Sequence, residues 1–192
     1  KIEMGQGAMT VLPLLLAEEL EVGPEVVDIT LGDTELCPWD TGTFGSLTVR
    51  NFGPILRAAA AEARAVLLEL AAEKLNRPVD RLQAKDGAIY DKSDPKVRAA
   101  YAELARGRTI ERHVSPAPAL KKPAEFKVMG RSVGRRDARD KVTGKARYTG
   151  DLRLPGMLYA KVLRPPAHGA TLKGLDTAEA EKVAGLRVIQ DR

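Results

Sequence analysis

The sequence predicts an α+β chain of two units joined by a proline-rich connection. Three observations carry that expectation. Apolar residues recur at helical spacing in two runs, 9–22 and 54–75. Short β-branched or alternating runs stand apart from them, at 26–31, 82–84, 88–90, 126–129, 157–163 and 186–189. Between 108 and 125 all periodicity stops, and Pro116, Pro118, Lys121, Lys122 and Pro123 take over.

Taken in order, residues 1–4 read as the end of a strand. The helix at 9–22 carries Val11, Leu12, Leu15, Leu16 and Leu20 on one face, with Thr10 as its N-cap and Pro13 in its first turn. Gly23-Pro24 stops it, and the strand at 26–31 turns at Gly32-Asp33-Thr34, where Asp33 suits an Asx-type turn. Residues 35–52 form a long irregular loop, the kind that is often functional, with the single Trp39 packing it onto the body. Pro54 opens the longest helix, with Leu56, Ala59, Ala60, Ala63, Val66, Leu67 and Leu70 as its stripe, and Asn76-Arg77-Pro78 ends it. Lys85-Asp86-Gly87 between two short runs signals a hairpin, and 97–105 reads as a short helix behind Asp94-Pro95. The stretch 115–123 reads as an extended, solvated connection. Beyond it come a strand at 126–129, a basic, turn-rich stretch at 130–150, a strand at 157–163, a short helix at 178–183 and a strand at 186–189.

Composition narrows the class. The 192 residues are 44% hydrophobic and 30% charged, as in globular domains, and no apolar run approaches the roughly 20 residues of a membrane helix. Aromatics are only 4%, so the core must rest on Leu, Val, Ile and Ala. A single Cys37 excludes an internal disulfide or a cysteine-rich metal site. The net charge of +5 is uneven: −6 over residues 1–60, +2 over 61–120 and +9 over 121–192. The chain opens and closes within strand-like runs, so a fragment of a longer protein is expected.

The motif that organises the chain is Glu3-Met4-Gly5-Gln6-Gly7-Ala8-Met9-Thr10. Its glycines allow a sharp turn or a close approach to a ligand. A helix start offers N–H groups that suit anions, and the Gln6 amide both donates and accepts. Gly42-Thr43-Phe44-Gly45-Ser46-Leu47-Thr48 is a second such turn before a second helix, so the two can approach one ligand from two sides. The plain alternative is a pair of turns that only redirect the chain. A Rossmann fingerprint fails for want of the third glycine, and a P-loop fails because no Gly-Lys-Ser/Thr occurs. His113 and His168 lack companions at metal-ligand spacing, and the Arg131–Arg147 cluster reads as a solvated or subunit-facing surface, since no aromatic residues interleave it.

These residues also carry a resemblance. Glu3-Met4-Gly5-Gln6-Gly7, Glu18-Glu19-Leu20, Gly32-Asp33-Thr34 and Gly42-Thr43 with Gly45-Ser46, followed by an alanine-rich helix, resemble in order and spacing the molybdopterin-binding large subunit of xanthine dehydrogenase/aldehyde oxidase-type molybdenum hydroxylases. The likeness covers nearly the whole chain and is nearest to the branch of isoquinoline 1-oxidoreductase beta subunits. Val133-Gly134, Arg136-Asp137, Lys141-Val142-Thr143-Gly144, Tyr148, Asp151 and Pro155-Gly156-Met157-Leu158 resemble the start of the α/β hammerhead domain of the same enzymes. In xanthine dehydrogenase the hammerhead precedes the glutamine motif; the reversed order here is that of the isoquinoline branch.

The resemblance implies part of a molybdopterin-binding domain at 1–115, a linker at 116–124 and the opening of a hammerhead at 125–192. It implies a molybdopterin cofactor held by Gly5, Gln6, Gly7, Thr43, Gly45, Ser46 and Thr48. It implies hydroxylation of an N-heteroaromatic or aldehyde substrate with water, electrons leaving through iron–sulfur clusters on a partner subunit. The partners implied are the small-molecule substrate, the iron–sulfur subunit and the remainder of the large subunit, with no nucleic acid. The family's glutamate base has no counterpart here and one cysteine cannot hold a cluster, so this stretch alone is expected to lack turnover. The competing class is a non-enzymatic module whose basic C-terminal half recognises an anionic partner.

Overall fold

Helix α1, Ala8–Leu20, begins one turn earlier than Thr10 would cap it: Gly7 is the N-cap, in the left-handed region at φ 90°. Its carbonyl accepts from Val11 N at 2.9 Å, and Thr10 lies inside the helix, buried. Pro13 is therefore within the helix rather than in its first turn, where it has no N–H to donate to the Met9 carbonyl. Glu21 adopts the left-handed region at φ 53° and ends the helix at Leu20, before the expected Val22. The structure, a computed structural model, describes residues 1–190; Asp191 and Arg192, the last two of the expected hammerhead opening, lie outside them.

Helix α2, Gly53–Leu75, follows a π-helical turn at Thr48–Phe52. It crosses α1 closely at Gly53, where an added Cβ would lie 2.9 Å from Leu15 Cδ1. The packed face is rotated from the expected stripe: Ala60, Ala61 and Ala71 are buried, whereas Ala59 and Ala63 are exposed. The rotation brings Arg57 and Arg64 onto α1, which an apolar stripe cannot foretell. Asn76 closes the helix in the left-handed region, with Arg77 N bonded to Ala72 O at 3.1 Å.

The sheet is antiparallel, in the order β1 (Leu82–Lys85), β2 (Ala88–Asp91), β3 (Arg98–Ala100). Asp86 and Gly87 both have positive φ, as a two-residue hairpin loop requires, and Lys85 pairs with Ala88 across it. The third strand replaces the start of the helix expected at 97–105. Ile89 pairs with Ala99, completing a core of Ala71, Leu82, Ile89, Ala99 and Leu104 under α2. Pairing with an open sheet edge outweighs the helix propensity of alanine here. Only Tyr101–Ala105 remains helical, as α3. The Tyr101 hydroxyl donates to Leu20 O at 2.7 Å and ties this subdomain to α1; burial pushes its pKa up to about 12.

Several expected strands do not form. Residues 1–4 have no ladder, and 26–31 alternates as expected, with Val27, Ile29 and Leu31 turned inward, but finds no partner strand among the described residues. Ile29 and Leu31 pack instead on Ala8, Leu12 and Leu15. Residues 126–129 are bound to a carboxylate rather than a strand: Lys127, Val128 and Met129 N all donate to Glu18. The proline-rich stretch leaves most of its side chains exposed but is anchored, by Ala119 O and Lys121 O accepting from Arg64 and Arg57 and by the buried Lys121 side chain paired with Glu18. Trp39 is 86% exposed and does not pack its loop onto the body.

The chain falls into two units, residues 1–146 and residues 147 onward. The first contains everything above and a short helix α4, Ala138–Val142. The second holds a 3₁₀ turn at Thr149–Asp151 and α5, Ala178–Glu181. The runs 157–163 and 186–189 are not strands there, and Leu158, Val162, Leu163 and Ile189 are exposed. Alternation alone does not make a strand without a partner to pair with.

Candidate functional site

The Gly5-Gln6-Gly7 turn is built by Glu3. Its carboxylate accepts from Gly5 N at 2.8 Å, Gly7 N at 2.9 Å and Met9 N at 2.9 Å. Burial works to raise the Glu3 carboxyl, and these three amides outweigh it and hold it below the ordinary range. Two of the N–H groups expected to receive a ligand anion at the α1 entrance, those of Gly7 and Met9, are thus taken by the chain's own carboxylate. Sequence reasoning passed over Glu3, although an acidic residue just before a helix start is the available signal.

Gly5 and Gly7 have φ of 108° and 90°, which side-chain-bearing residues rarely adopt. Gln6 is exposed, and its amide is fixed by its own loop: Oε1 accepts from Met4 N at 2.7 Å and Nε2 donates to Ile2 O at 2.8 Å. Because one partner is a donor and the other an acceptor, the amide has one orientation. One N–H and one lone pair remain for a ligand.

The second turn meets the first through the segment that leads into it. Ile2 N donates to Thr43 Oγ1 at 3.2 Å, and Lys1 Nζ donates to Gly42 O at 2.7 Å. Gly45 and Ser46 both lie in the left-handed region, at φ 59° and 58°, in a turn closed by Leu47 N to Phe44 O at 3.1 Å. Both are exposed, and their N–H groups donate to no protein acceptor among the described residues. Thr48 is buried at the start of the π-helical turn. The exposed donors are therefore those of Gln6, Gly45 and Ser46, and the half-buried Thr43 hydroxyl, which accepts from Ile2 N, keeps its own O–H to donate.

A third contributor comes from the basic stretch. Arg135 Nη1 donates to Gly5 O at 3.0 Å, and Arg136 N donates to Thr10 Oγ1 at 3.1 Å. Arg136 Nη2 also donates to Val27 O at 2.8 Å. These two residues are exposed but docked, which corrects the reading of the whole cluster as a solvated or subunit-facing surface. With 130 positions between Arg135 and Gly5, no local pattern signals the contact.

A profile of a molybdopterin cofactor-binding domain matches residues 1–149. The chain belongs to the molybdopterin cofactor-binding domain family. Among relatives, it is 36% identical over 168 residues to one of the subunits of nicotinate dehydrogenase from Pseudomonas putida, covering 88% of this chain and 14% of that protein. It is 29% identical over 224 residues to the beta subunit of isoquinoline 1-oxidoreductase from Brevundimonas diminuta, covering 96% of this chain and 29% of that protein. Reconstituted CO dehydrogenase from Oligotropha carboxidovorans shares the fold at a TM-score of 0.50 and 27% identity, over 55% of this chain and 13% of that chain. The chain thus spans about a seventh to under a third of the length of the curated relatives it matches. The mixed helix-and-sheet architecture expected from the sequence is that of this family.

The molybdopterin-binding family requires a site able to take a heteroaromatic, phosphorylated group. Free backbone N–H groups at Gly45 and Ser46, and a fixed amide at Gln6, form a donor set that fits one. A groove of about 500 Å³ lined by Glu21, Arg64, Leu68 and Lys121 shares no residue with the two turns, and its Lys121 is already paired with Glu21. No group of three or more His, Cys, Asp or Glu among the described residues is placed to hold a metal ion.

Proposed function

We propose that this chain forms part of the cofactor-binding region of a molybdenum hydroxylase that oxidises N-heteroaromatic or aldehyde substrates with water as the oxygen source. The observation that carries this reading is the pair of glycine turns joined by Ile2 and Thr43 in a chain of the molybdopterin-binding family. The names of its relatives, nicotinate dehydrogenase and isoquinoline 1-oxidoreductase, support an N-heteroaromatic substrate.

In this reading Gly5, Gln6, Gly7, Thr43, Gly45, Ser46 and Thr48 hold the cofactor. When bound, the cofactor supplies a redox metal centre for the two-electron oxidation. The chain's own part is to hold and orient. Gln6 reads a heteroaromatic edge with its spare N–H and lone pair, adding no charge. Gly45 and Ser46 offer backbone donors to an anionic or carbonyl oxygen. Glu3 keeps the first turn shaped whether or not the cofactor is present.

The domain division into 1–115, 116–124 and 125–192, with a hammerhead opening in the last part, belongs to the same reading. So do the iron–sulfur clusters on a partner subunit, and contacts with the rest of the large subunit. Exposed Leu158, Val162 and Leu163 support the last of these. Docking of Arg135 onto the turn, and of Arg136 onto Thr10 and Val27, weakens the competing reading of a basic module for an anionic partner.

The test is metal and pterin analysis of the full-length enzyme, with oxidation of nicotinate, isoquinoline and an aldehyde assayed in parallel. Stoichiometric molybdenum and pterin with turnover of one of these is the expected result. A purified full-length protein free of both refutes it.

A further inference from the structure

Arg135 lies in a stretch that its charge alone would assign to bulk solvent, yet it closes the cofactor turn. Its guanidinium spends two donors on Asp137, Nε to Oδ1 at 2.9 Å and Nη2 to Oδ2 at 2.8 Å. Asp137 is itself held by Lys141 Nζ at 2.5 Å. The remaining arm, Nη1, reaches Gly5 O at 3.0 Å. Gly5 is therefore pinned on both sides, its N–H by Glu3 at 2.8 Å and its carbonyl by Arg135. The Gly5 carbonyl belongs to the peptide that leads into Gln6. A Cβ on Gly7 would lie 3.8 Å from the guanidinium carbon, so the planar group also lies against the second glycine of the turn.

The geometry points to Arg135 as the residue that positions the Gly5-Gln6-Gly7 turn to receive its cofactor, an inference that rests on the reading above. The turn's other bonds, from its amides to Glu3 and from the Gln6 amide to Met4 and Ile2, leave the Gly5 carbonyl to Arg135 among the described residues. Both glycines stand at positive φ, and glycine gains more freedom than any other residue when a constraint is lost. Gln6 is exposed, so packing does not hold it either. Only a planar fork can bond Asp137 with two nitrogens while extending a third to a carbonyl. A lysine at 135 can satisfy the carboxylate or the carbonyl, not both in this geometry. The Arg135–Asp137 pair, from a segment 130 residues away, thus couples the C-terminal part of the first unit to the cofactor turn.

The experiment uses the full-length holoenzyme and measures molybdenum and pterin per protein together with the thermal midpoint. Arg135→Lys keeps the charge, and Asp137→Asn keeps the arginine while loosening its fork. Both are expected to retain at least fivefold less cofactor than wild type at an unchanged midpoint. Gln6→Ala and Gly7→Ala serve as references for the site itself. If Arg135→Lys and Asp137→Asn keep wild-type cofactor while the reference variants lose it, the inference about Arg135 is overturned and the site stands. It is likewise overturned if cofactor content falls only in step with the midpoint. If the reference variants themselves keep full cofactor, the site reading fails, and the inference fails with it.

Discussion

Glu18 and Lys121 form an ion pair almost out of reach of solvent, with side chains 0% and 8% exposed. The Glu18 carboxylate also accepts from Val128 N at 2.7 Å and Met129 N at 2.8 Å. Next to it, Glu19 is equally buried and receives Arg57 Nε at 2.9 Å and Lys121 N at 3.2 Å. The two carboxylates at the end of α1 thus clamp a proline-rich segment about a hundred residues downstream. Every buried polar side-chain atom among the described residues is satisfied, so these charges are compensated rather than stranded.

Acid should loosen that clamp. Burial tends to raise the Glu18 carboxyl, but the Lys121 ammonium and the amides of Met129, Val128 and Lys127 outweigh it and hold it at about 2, against an ordinary 4.5. A depressed folded-state value means that the stabilisation is complete above pH 4.5 and is lost as pH falls toward 2. The size is on the order of 3 kcal/mol. Urea unfolding at pH 7 should show Glu18→Gln less stable than wild type by roughly that amount, with a flatter dependence between pH 4.5 and 2. Parallel acid curves for the two proteins would contradict it.

Alanine at either glycine of the first turn should destabilise it. Gly5 and Gly7 stand at φ 108° and 90°, and leaving the right-handed side of the map costs an L-residue about 1–2 kcal/mol. Gly5→Ala meets no atom within 4 Å, so its cost is purely conformational. Gly7→Ala adds only an ordinary contact with Arg135, and the two variants should be destabilised alike. Denaturant midpoints decide this; an undiminished midpoint in both would mean that the turn relaxes freely.

Gln6→Ala should lower the activity of the full-length enzyme more than Ser132→Ala. Loss of a hydrogen bond to a buried polar group costs roughly 1–3 kcal/mol, about tenfold to a hundredfold in rate if felt in the transition state. Ser132 is exposed, where substitutions usually change stability by less than about 0.5 kcal/mol. Steady-state rates per molybdenum are the comparison. Wild-type loading and rate in Gln6→Ala would reduce the turn to a chain reversal.

Residues 1–192 alone should retain no molybdenum, since in the proposed reading they supply only two cofactor-holding turns, and they span 14% and 29% of two relatives' lengths. Elemental analysis of this chain, expressed with molybdate, should give a content near zero. A stoichiometric value would show the two turns to be sufficient.

Limited trypsin digestion should cut first within 147–161, at Arg147, Arg153 or Lys161, where side chains are exposed. Lys121, in the stretch whose composition reads as extended and solvated, is protected because its ammonium is paired with Glu18 and Glu21. The order of fragments by mass spectrometry reads this directly, and early cleavage at Lys121 would show the clamp to be open in solution.

What the sequence by itself determined is the local chemistry. The two long helices, the Asp86-Gly87 hairpin, the Asx turn at Asp33 with its bond from Glu35 N at 2.8 Å, and both glycine turns follow from short-range rules of spacing and backbone freedom. The order of those motifs also carried the family. Tertiary structure decided what depends on partners far along the chain. Residues 26–31 alternate like a strand but pack as an extended arm, and 98–100 joins the sheet although it reads as helix, because pairing is set by which edge is open. Glu18 and Glu19 look like a solvated helix end, yet are buried by the arrival of residues 119–129. Glu3 and Arg135 grip the Gly-Gln-Gly turn from 2 and 130 positions away, and only the nearer of the two leaves a mark that sequence spacing can show.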